Sequence, residues 1–317
     1  MGRMKVLLHY NAGPDWRRTM ETLADQGLEV VCCDEADDAR FYALLPDTEV
    51  IWHALRPIAA DDIARAPKLR LIQKIGVGVN TIDLEAAQAK GVAVCNMPGT
   101  NAQAVAEMTL LLMLACLRRL PVIHEAVRAG KGWTLDPALQ DGYGEIAGKT
   151  VGLVGMGSIP KALLPALTGL GARVVYTARS EKPELEAEFR TLDDLLAEAE
   201  IVSLHLPLTG ETENILDRGR LRAMRPGAIL INTARGGLVD QQALAASLRE
   251  GPLAGAGLDA FVREPIAGDD PLLGLDNVVL SPHIAWLTGE TLARSLAVAV
   301  ENCLRLGDGR DLLHRVA

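Results

Sequence analysis

The feature that most constrains the fold is a regular alternation of short apolar, strand-like runs with segments patterned as helices. The helical patterns include residues 16–26, 84–90, 192–199 and 241–250. The strand-like runs form two series: KVLLHY at 5, LEVVCCD at 28, VIWHAL at 50, LRLIQKIG at 69 and VAVCNM at 92, and then TVGLVGM at 150, RVVYTA at 173, IVSLHLP at 201, AILINTA at 228, AGAGLDAF at 254 and VVLSPH at 278. Because parallel strands need crossover segments between them, this alternation predicts an α/β fold with helices on both faces of parallel sheets.

The two series of runs predict two doubly wound parallel-sheet domains. The segment PGTN at 98 interrupts the pattern with Pro and Gly, and Asn101 is a residue type that caps helices, so we place the hinge there. A last helical pattern over 289–306 would cross back to the first domain. The predicted domains are residues 1–98 with 288–317, which make a discontinuous domain, and residues 99–287.

The segment after the hinge is apolar around most of its circumference. Between Ala102 and Leu117 only Gln103, Glu107 and Thr109 interrupt apolar residues. A helix of this kind is buried on most sides. We expect it between the domains or in a subunit interface.

Composition and charge exclude several classes of function. The formal net charge is −9, whereas a nucleic-acid partner favours a basic face. The start, MGRMKVLLHY, lacks the apolar core of a signal peptide, and the longest apolar run, around 109–117, is too short to cross a bilayer. The five cysteines show no zinc-ligand spacing. We therefore expect a cytoplasmic protein with no metal, no membrane and no nucleic-acid partner.

The stretch VGLVGMGSIP at 151 has the context of a dinucleotide-binding turn. It leaves a strand-like run, and KALLPALTGLG at 161 is patterned as a helix before RVVYTA resumes a strand. Gly155 can make the tight turn, and Gly157 lets the backbone approach a pyrophosphate at the helix N-terminus. The sequence therefore predicts that this loop binds a dinucleotide.

Two prolines depart from the usual pattern of this turn. Pro160 stands where a third glycine is common, but in the first helical turn a proline sacrifices no intrahelical hydrogen bond. Pro165 removes the hydrogen bond to the carbonyl of Lys161, so we expect a bent helix.

The residues after RVVYTA distinguish NADP from NAD. NAD-binding turns place Asp or Glu about twenty residues past the glycines, where the carboxylate accepts hydrogen bonds from the ribose 2′-hydroxyl. Ala178 stands at that strand end, and Arg179 and Ser180 can pair with and donate to a 2′-phosphate. We therefore predict NADP(H) in preference to NAD(H), with NAD(H) as the weaker alternative.

Polar residues follow several predicted strands at the edge where a doubly wound sheet binds its ligands. The residues that follow these strands are His205, Pro207, Thr233, Ala234, Arg235, Asp259, Glu264 and His283. Such a set suits hydride transfer at a carbon that bears oxygen. His283 can exchange a proton with that oxygen, Glu264 can favour the imidazolium, and Arg235 can hold a carboxylate. Asp259 can accept from the nicotinamide carboxamide, and Trp286 is the best tryptophan candidate for the pocket wall.

With these residues the chain resembles the D-isomer-specific 2-hydroxyacid dehydrogenases over essentially its whole length. The matching segments are GVGVNTID at 76, NMPGTNAQAVAE at 96, VGLVGMGSI at 151, LHLPLTGET at 204, INTARGGLVD at 231, GLDAFVREP at 257 and SPHIAW at 281. The resemblance implies a Rossmann-type nucleotide-binding domain and a flavodoxin-like substrate-binding domain. It also implies Arg235, Glu264 and His283 as the catalytic set.

The resemblance carries further expectations about the site and the assembly. Backbone N–H groups of Val77 and Gly78 would bind the substrate carboxylate. The chain would form a homodimer through the helix after PGTN. The cofactor would contact Ser158, Ile159, Thr233 and Asp259.

Within the family, YTARSEKP at 176 is similar to the NADPH-using glyoxylate and hydroxypyruvate reductases, so we expect reduction of a short 2-keto acid. Two alternatives stay open. A short-form D-3-phosphoglycerate dehydrogenase would need basic residues near its substrate, for which Arg56 is the obvious candidate. A non-catalytic, dinucleotide-sensing binding protein of the same fold would carry partner-binding segments that are not evident here. Glu264 argues against a formate dehydrogenase, which has glutamine at that place.

Overall fold

The computed structural model describes residues 2–134 and 136–317, except for the side chain of Ala138. These residues divide into two compact units. One unit comprises the residues up to Thr100 together with Thr288–Ala317, and the other comprises Asn101–Leu287.

The first unit is built on a five-stranded sheet. Its strands are β1 (Met4–His9), β2 (Leu28–Cys33), β3 (Val50–His53), β4 (Leu71–Lys74) and β5 (Ala93–Cys95). Its helices are α1 (Pro14–Thr22), α2 (Asp38–Leu44), α3 (Ala60–Ala64), α4 (Leu84–Ala89) and, at the end of the chain, α11 (Gly289–Asp308). Within the described ranges all neighbouring strands pair in parallel, in the order β2-β1-β3-β4-β5. This order is the flavodoxin-like one.

The second unit is built on a seven-stranded sheet. Its strands are β6 (Thr150–Val154), β7 (Arg173–Thr177), β8 (Glu188–Phe189), β9 (Ile201–Leu204), β10 (Ile229–Asn232), β11 (Gly255–Leu258) and β12 (Val278–Leu280). Its helices are α5 (Ala102–Leu117), α6 (Leu120–Arg128), α7 (Ser158–Gly169), α8 (Leu192–Glu198), α9 (Arg218–Ala223) and α10 (Gln241–Glu250). Among the described residues the strand order is β12-β11-β10-β9-β6-β7-β8, again parallel throughout.

Helices cover both faces of the second sheet. Leucines of α8, α9 and α10 pack on one face, and apolar residues of α5 and α7 pack on the other. Every residue of β9, β10 and β11 is buried. This burial explains why these strands are continuous apolar runs rather than alternating ones.

The predicted fold class is confirmed: the chain is α/β with two doubly wound parallel sheets. Each of the eleven predicted runs contains a strand, and α10 begins and ends at the predicted residues. The sequence missed β8, whose polar segment carries no strand pattern. The predicted helical segment 16–26 is α-helical only up to Thr22; a turn of 3-10 helix, Leu23–Gln26, completes it and ends before Gly27, which has φ of 81°.

Helix α7 contains both prolines. Pro160 is its third residue, so a proline there costs no intrahelical hydrogen bond. Pro165 lies inside the helix and is exposed, and the bend that it would cause stays a prediction. Asn101 precedes α5 at the capping position, but its side chain accepts no N–H of the helix. The capping contact expected from Asn101 is therefore wrong.

Two kinds of feature are lacking in the part of the chain that the structure describes. No helix there is both long and apolar enough to cross a membrane. No group of three His, Cys, Asp or Glu side chains is arranged there to hold a metal ion.

Candidate active site

The carboxyl ends of β6 and β9 meet where the strand order of the second sheet reverses. Gly155 follows β6 with φ of 99°, a left-handed backbone that side chains disfavour. A Cβ at this position would lie 2.7 Å from the carbonyl oxygen of His205, which follows β9. The glycine therefore permits direct contact between the two loops.

The N-terminus of α7 lies at the same edge. Gly157 precedes the helix, and a Cβ there would meet nothing within 4 Å. Ser158 and Ile159 are the first two helical residues, so their backbone N–H groups have no partner within the helix. Open space beside free backbone donors fits the pyrophosphate of a dinucleotide.

His205 adds a buried polar atom to this crevice. Its Nε2 has no hydrogen-bond partner among the described residues. Burial lowers the pKa of His205 to about 3, so the ring is neutral at physiological pH. The carbonyl of Pro207 accepts a hydrogen bond of 2.7 Å from the hydroxyl of Thr212, which holds the same loop. The Nε2 atom of the neutral imidazole can therefore donate or accept one hydrogen bond with a bound ligand.

The loop after β7 carries the residues predicted to select the cofactor. Ala178 follows the strand directly, so no carboxylate stands at that position. Arg179 and Ser180 are exposed, and Arg179 forms no ion pair with any residue in the described ranges. An unneutralised guanidinium therefore lies at this strand end.

The other arginines beside this sheet edge are neutralised. Arg173 and Arg190 bind Glu188 and Glu198 with nitrogen–oxygen distances between 2.6 and 3.0 Å. We call these four residues the edge network. Both glutamates are therefore paired with arginines other than Arg179.

Asn232 braces the turn that follows β10. It is buried; its Oδ1 accepts the N–H of Ala234 at 3.0 Å, and its Nδ2 donates to the carbonyl of Arg235 at 2.9 Å. The guanidinium of Arg235 also donates to the carbonyl of Ala234 at 2.7 Å. Burial lowers the pKa of Arg235, although the charge of Glu264 raises it, and an arginine so placed stays charged.

Thr233, in the same turn, faces helix α5. Its Oγ1 lies 2.9 Å from Oγ1 of Thr109, whose hydroxyl donates to the carbonyl of Val105 at 2.7 Å. Because the hydroxyl of Thr109 has a single proton, it must accept from Thr233. The hydroxyl of Thr233 therefore points its proton at α5 and keeps its lone pairs for other donors.

The loop that carries Glu264 packs against the Arg235 turn. A Cβ at Gly236 would lie 1.9 Å from the carbonyl carbon of Phe261, so only glycine allows this backbone contact. Oε1 of Glu264 accepts the N–H of Phe261 at 3.0 Å. The side chain of Glu264 is thus oriented by its own loop.

Glu264 and His283 form a direct pair. Oε2 of Glu264 lies 2.7 Å from Nδ1 of His283. Burial raises the pKa of Glu264, but the hydrogen bond and charge of His283, with the charge of Arg235, hold it below its ordinary value. The carboxylate is therefore ionised at neutral pH. Of the three predicted catalytic side chains, Glu264 and His283 are thus in direct contact, and the charge of Arg235 acts on Glu264.

Asp259 holds the segment on either side of His283. It is buried and accepts three hydrogen bonds, from Oγ of Ser281 at 2.6 Å and from the N–H groups of Ile284 and Ala285 at 3.0 and 2.8 Å. Burial raises the pKa of Asp259, which these donors oppose. Asp259 is thus an anchor for the His283 loop in this structure.

Trp286 closes the other side of that loop. Its Nε1 donates to the carbonyl of His283 at 3.1 Å, and its side chain is buried. Two other tryptophans differ in their setting: Trp52 is in the core of the first unit, and Trp133 is 91% exposed.

Val77 and Gly78 belong to the first unit, after β4. Their backbone N–H groups donate to no other residue that the structure describes. The carbonyl of Val77 accepts from Nδ2 of Asn96 at 2.9 Å. These two N–H groups are therefore available to a ligand.

Three residues that shape the site were not identified from the sequence. Asn232 carried a signal, since a polar residue at the end of an apolar strand is unusual, and Thr109 was one of few polar residues in α5. Gln241 carried none: its Oε1 accepts the N–H of Val262 at 3.1 Å and so holds the Glu264 loop.

Comparisons with known proteins agree with this geometry. Residues 110–285 match the NAD-binding domain of the D-isomer specific 2-hydroxyacid dehydrogenase family. A glyoxylate reductase of Aeropyrum pernix is 41% identical over 261 residues, which are 80% of this chain and 78% of that protein. A D-3-phosphoglycerate dehydrogenase of Mycobacterium leprae is 38% identical over 87% of this chain, but over only 52% of its own length. The solved structure of an NADPH-dependent glyoxylate/hydroxypyruvate reductase from Sinorhizobium meliloti, in complex with NADP and malonate, is 29% identical with a TM-score of 0.84, covering 100% of this chain and 97% of that one.

Proposed function

The chain belongs to the D-isomer-specific 2-hydroxyacid dehydrogenase family, and we propose that within this family it reduces a short 2-keto acid, of the glyoxylate or hydroxypyruvate type, with NADPH. The observation that carries the proposal is the pairing of Glu264 with His283 at 2.7 Å in the electrostatic field of Arg235. The glyoxylate reductases similar to this chain support the substrate class.

His283 is the proposed proton donor. Because Nδ1 is bound by Glu264, the other ring nitrogen, Nε2, delivers the proton to the substrate oxygen during reduction and accepts it during oxidation. The carboxylate of Glu264 is ionised, so a negative charge lies beside the proposed proton donor. The nicotinamide, when bound, supplies or accepts the hydride.

Arg235 is the proposed anchor for the substrate carboxylate. Its planar guanidinium suits a carboxylate, and its bond to the carbonyl of Ala234 fixes its orientation. For the first unit, we propose separately that the backbone N–H groups of Val77 and Gly78 bind a substrate carboxylate, which fits their lack of acceptors among the described residues.

The cofactor preference rests on the loop after β7. Ala178 offers no acceptor to a ribose 2′-hydroxyl, whereas the unpaired Arg179 and the exposed Ser180 suit a 2′-phosphate. The proposed dinucleotide-binding residues are Gly155, Gly157, Ser158, Ile159, Ala178, Arg179, Ser180, His205, Pro207, Thr233, Ala234, Asp259 and Trp286. Residues 99–287 are accordingly the proposed dinucleotide-binding domain, and residues 1–98 with 288–317 the proposed substrate-binding domain.

The setting of Arg56 disfavours the phosphoglycerate alternative. Its guanidinium binds Asp38 at 2.7 Å and lies 4.8 Å above the ring centre of Phe41. A cation already neutralised by a carboxylate is a weak anchor for a substrate phosphate.

Steady-state kinetics test the proposal. We would measure kcat/KM for glyoxylate, hydroxypyruvate and 3-phosphohydroxypyruvate with NADPH and with NADH. One charge-assisted contact from Arg179 corresponds to a preference for NADPH of about 10- to 150-fold. Arg179→Ala should abolish that preference, and Arg222→Ala, an exposed arginine of α9, should leave it unchanged.

The outcomes separate the alternatives. Equal values for the two cofactors, or a preference for NADH, would overturn the NADPH assignment. A preference for 3-phosphohydroxypyruvate would favour the phosphoglycerate dehydrogenase. Tight cofactor binding without turnover of any 2-keto acid would favour the binding protein.

We also propose that the chain is a cytoplasmic homodimer. Leu111 and Leu114 of α5, with Leu120 and Val127 of α6, are 38–52% exposed and give the second unit an apolar surface that suits a second copy. The five cysteines are free thiols, which fits a reducing compartment. Light scattering should give a mass of about twice 33.9 kDa, and Leu114→Glu should give the monomer mass.

A further inference from the structure

A buried hydroxyl closes the loop that follows β7. Tyr176 lies on β7 and is 1% exposed, and its Oη accepts the backbone N–H of Lys182 at 2.6 Å. This bond joins the strand to the far end of the segment that carries Arg179 and Ser180. The two exposed residues thus lie in the middle of a loop that is tied to the sheet at both ends.

The ring that presents this hydroxyl is itself held in place. Tyr176 packs edge-on against Phe189 of β8, with 5.6 Å between ring centroids, and both rings belong to the apolar cluster under α7. The backbone N–H of Arg190 donates to the carbonyl of Tyr176 at 2.9 Å, and the edge network fixes β8. The hydroxyl therefore has a defined position from which to accept.

The loop has little else to define its shape. Among the described residues, only one side chain outside the loop forms a hydrogen bond with residues 178–182, and that side chain is Tyr176, which binds Lys182. The carbonyl of Lys182 accepts from the N–H of Leu185 at 3.1 Å, which extends the same turn. Removing the hydroxyl would leave Arg179 and Ser180 on an open loop.

We propose that Tyr176 is a positioning residue for cofactor selectivity, whose hydroxyl holds Arg179 and Ser180 ready for a 2′-phosphate before the cofactor binds. This inference rests on the proposed preference for NADPH. A preformed loop avoids part of the entropy that ordering it on binding would cost. NADH, which lacks the 2′-phosphate, gains nothing from the two side chains and is insensitive to their placement.

The test is Tyr176→Phe, which deletes one oxygen and keeps the ring in the apolar cluster. We expect kcat/KM for NADPH to fall about 5-fold, through KM, with kcat unchanged. The value for NADH should change by less than about twofold. Amide hydrogen exchange over 179–182 should become faster. Tyr143→Phe, which removes a hydroxyl elsewhere in the second unit, is the matched control.

A double-mutant cycle with Arg179→Ala isolates the positioning role. If Tyr176 acts through Arg179, then Tyr176→Phe has no further effect on the ratio of NADPH to NADH in the Arg179→Ala background. Equal losses with both cofactors would mean that the hydroxyl only supports the fold, and they would overturn the inference. A wild-type enzyme without NADPH preference would overturn the proposed function, whereas a wild-type preference that Tyr176→Phe leaves intact would overturn this inference alone.

Discussion

His283 has an unusual backbone for the residue proposed to transfer the proton. Its φ of 55° lies in the left-handed region, which costs a residue with a side chain about 1 kcal/mol. Such a conformation persists only where its surroundings impose it. Glu264 holds the ring, Trp286 holds the carbonyl, and Asp259 holds the next two N–H groups. The contacts around His283 therefore offset the strain and fix the direction of Nε2.

Glu264→Gln tests the charge in this arrangement. Glutamine keeps the shape of the side chain but removes the negative charge beside the ring of His283. We expect kcat for 2-keto acid reduction at neutral pH to fall by about 10²-fold, because proton transfer at His283 then proceeds without its neighbouring carboxylate. Glu250→Gln, which changes an exposed glutamate of the second unit, should leave kcat unchanged. A Glu264→Gln enzyme with the wild-type kcat would exclude Glu264 from proton delivery.

Single residues of the site could be predicted in part. Glu264 and His283 were recognisable because each follows an apolar strand, and the ends of parallel strands meet at one edge. The bracing by Asn232 and Gln241 was not, because a hydrogen-bond partner depends on side-chain directions that only the folded loops define. The same is true of Asp259: its position in the sequence predicts a contact with the cofactor, and its hydrogen bonds to the loop of His283 could not be predicted.

Among the elements, helix α5 contributes to the site through one polar side chain. The hydroxyl of Thr109 accepts a hydrogen bond from the hydroxyl of Thr233, whose lone pairs stay available to other donors. Thr109→Val replaces this partner by a methyl group and leaves a buried hydroxyl unsatisfied. We expect KM for the cofactor to rise about 3- to 10-fold, equally for NADPH and NADH, because Thr233 follows a different strand from the 2′-phosphate loop.

Thr109→Ser is the matched control for that prediction, since it keeps the hydroxyl and should keep the wild-type KM. Both values come from steady-state titration of each cofactor at saturating 2-keto acid. If Thr109→Val and Thr109→Ser bind the cofactors equally well, the contact between the two threonines has no part in cofactor binding.

Helices and strands could be predicted where the signal lies within their own residues and their immediate neighbours. The buried strands are continuous apolar runs, and α10 has an N-terminal Asp240 whose side chain accepts the N–H of Ala243, as capping residues do. Strand β8 was not predictable, because it has only two residues and depends on pairing with β7 and on an ion pair with Arg173, a residue distant in the sequence. Asn101 shows the converse: a good capping residue stands at the right position and makes no cap.

For the whole molecule, His205 and two buried histidines of the first unit predict sensitivity to acid. Burial lowers the pKa of His9 from 6.5 to about 4, and it lowers the pKa of His53 well below its ordinary value. Between pH 6.5 and 4 the unfolded chain therefore binds protons that the folded chain does not. The contribution of His9 to the free energy of unfolding is fully present above pH 6.5 and is lost progressively as the pH falls towards 4.

His9→Phe tests this linkage, because it keeps the stacking against Phe41, where the ring centroids are 4.1 Å apart, and removes the titrating group. Its melting temperature should fall less than that of the wild type over the same pH range. His124→Gln, which changes an exposed histidine, should follow the wild type. Parallel curves for His9→Phe and the wild type would show that His9 does not contribute to acid unfolding.

The edge network also affects whether separate molecules can aggregate through the free edge of the second sheet. The free edge of a sheet presents unpaired N–H and C=O groups that can recruit a strand from another chain, which is how fibrils start. Here the edge ends in the two residues of β8, flanked by the paired charges of Arg173, Glu188, Arg190 and Glu198. An incoming strand would find only two residues to pair with and would have to strip water from four charges. The salt bridges that fix β8 therefore also protect the folded protein against aggregation.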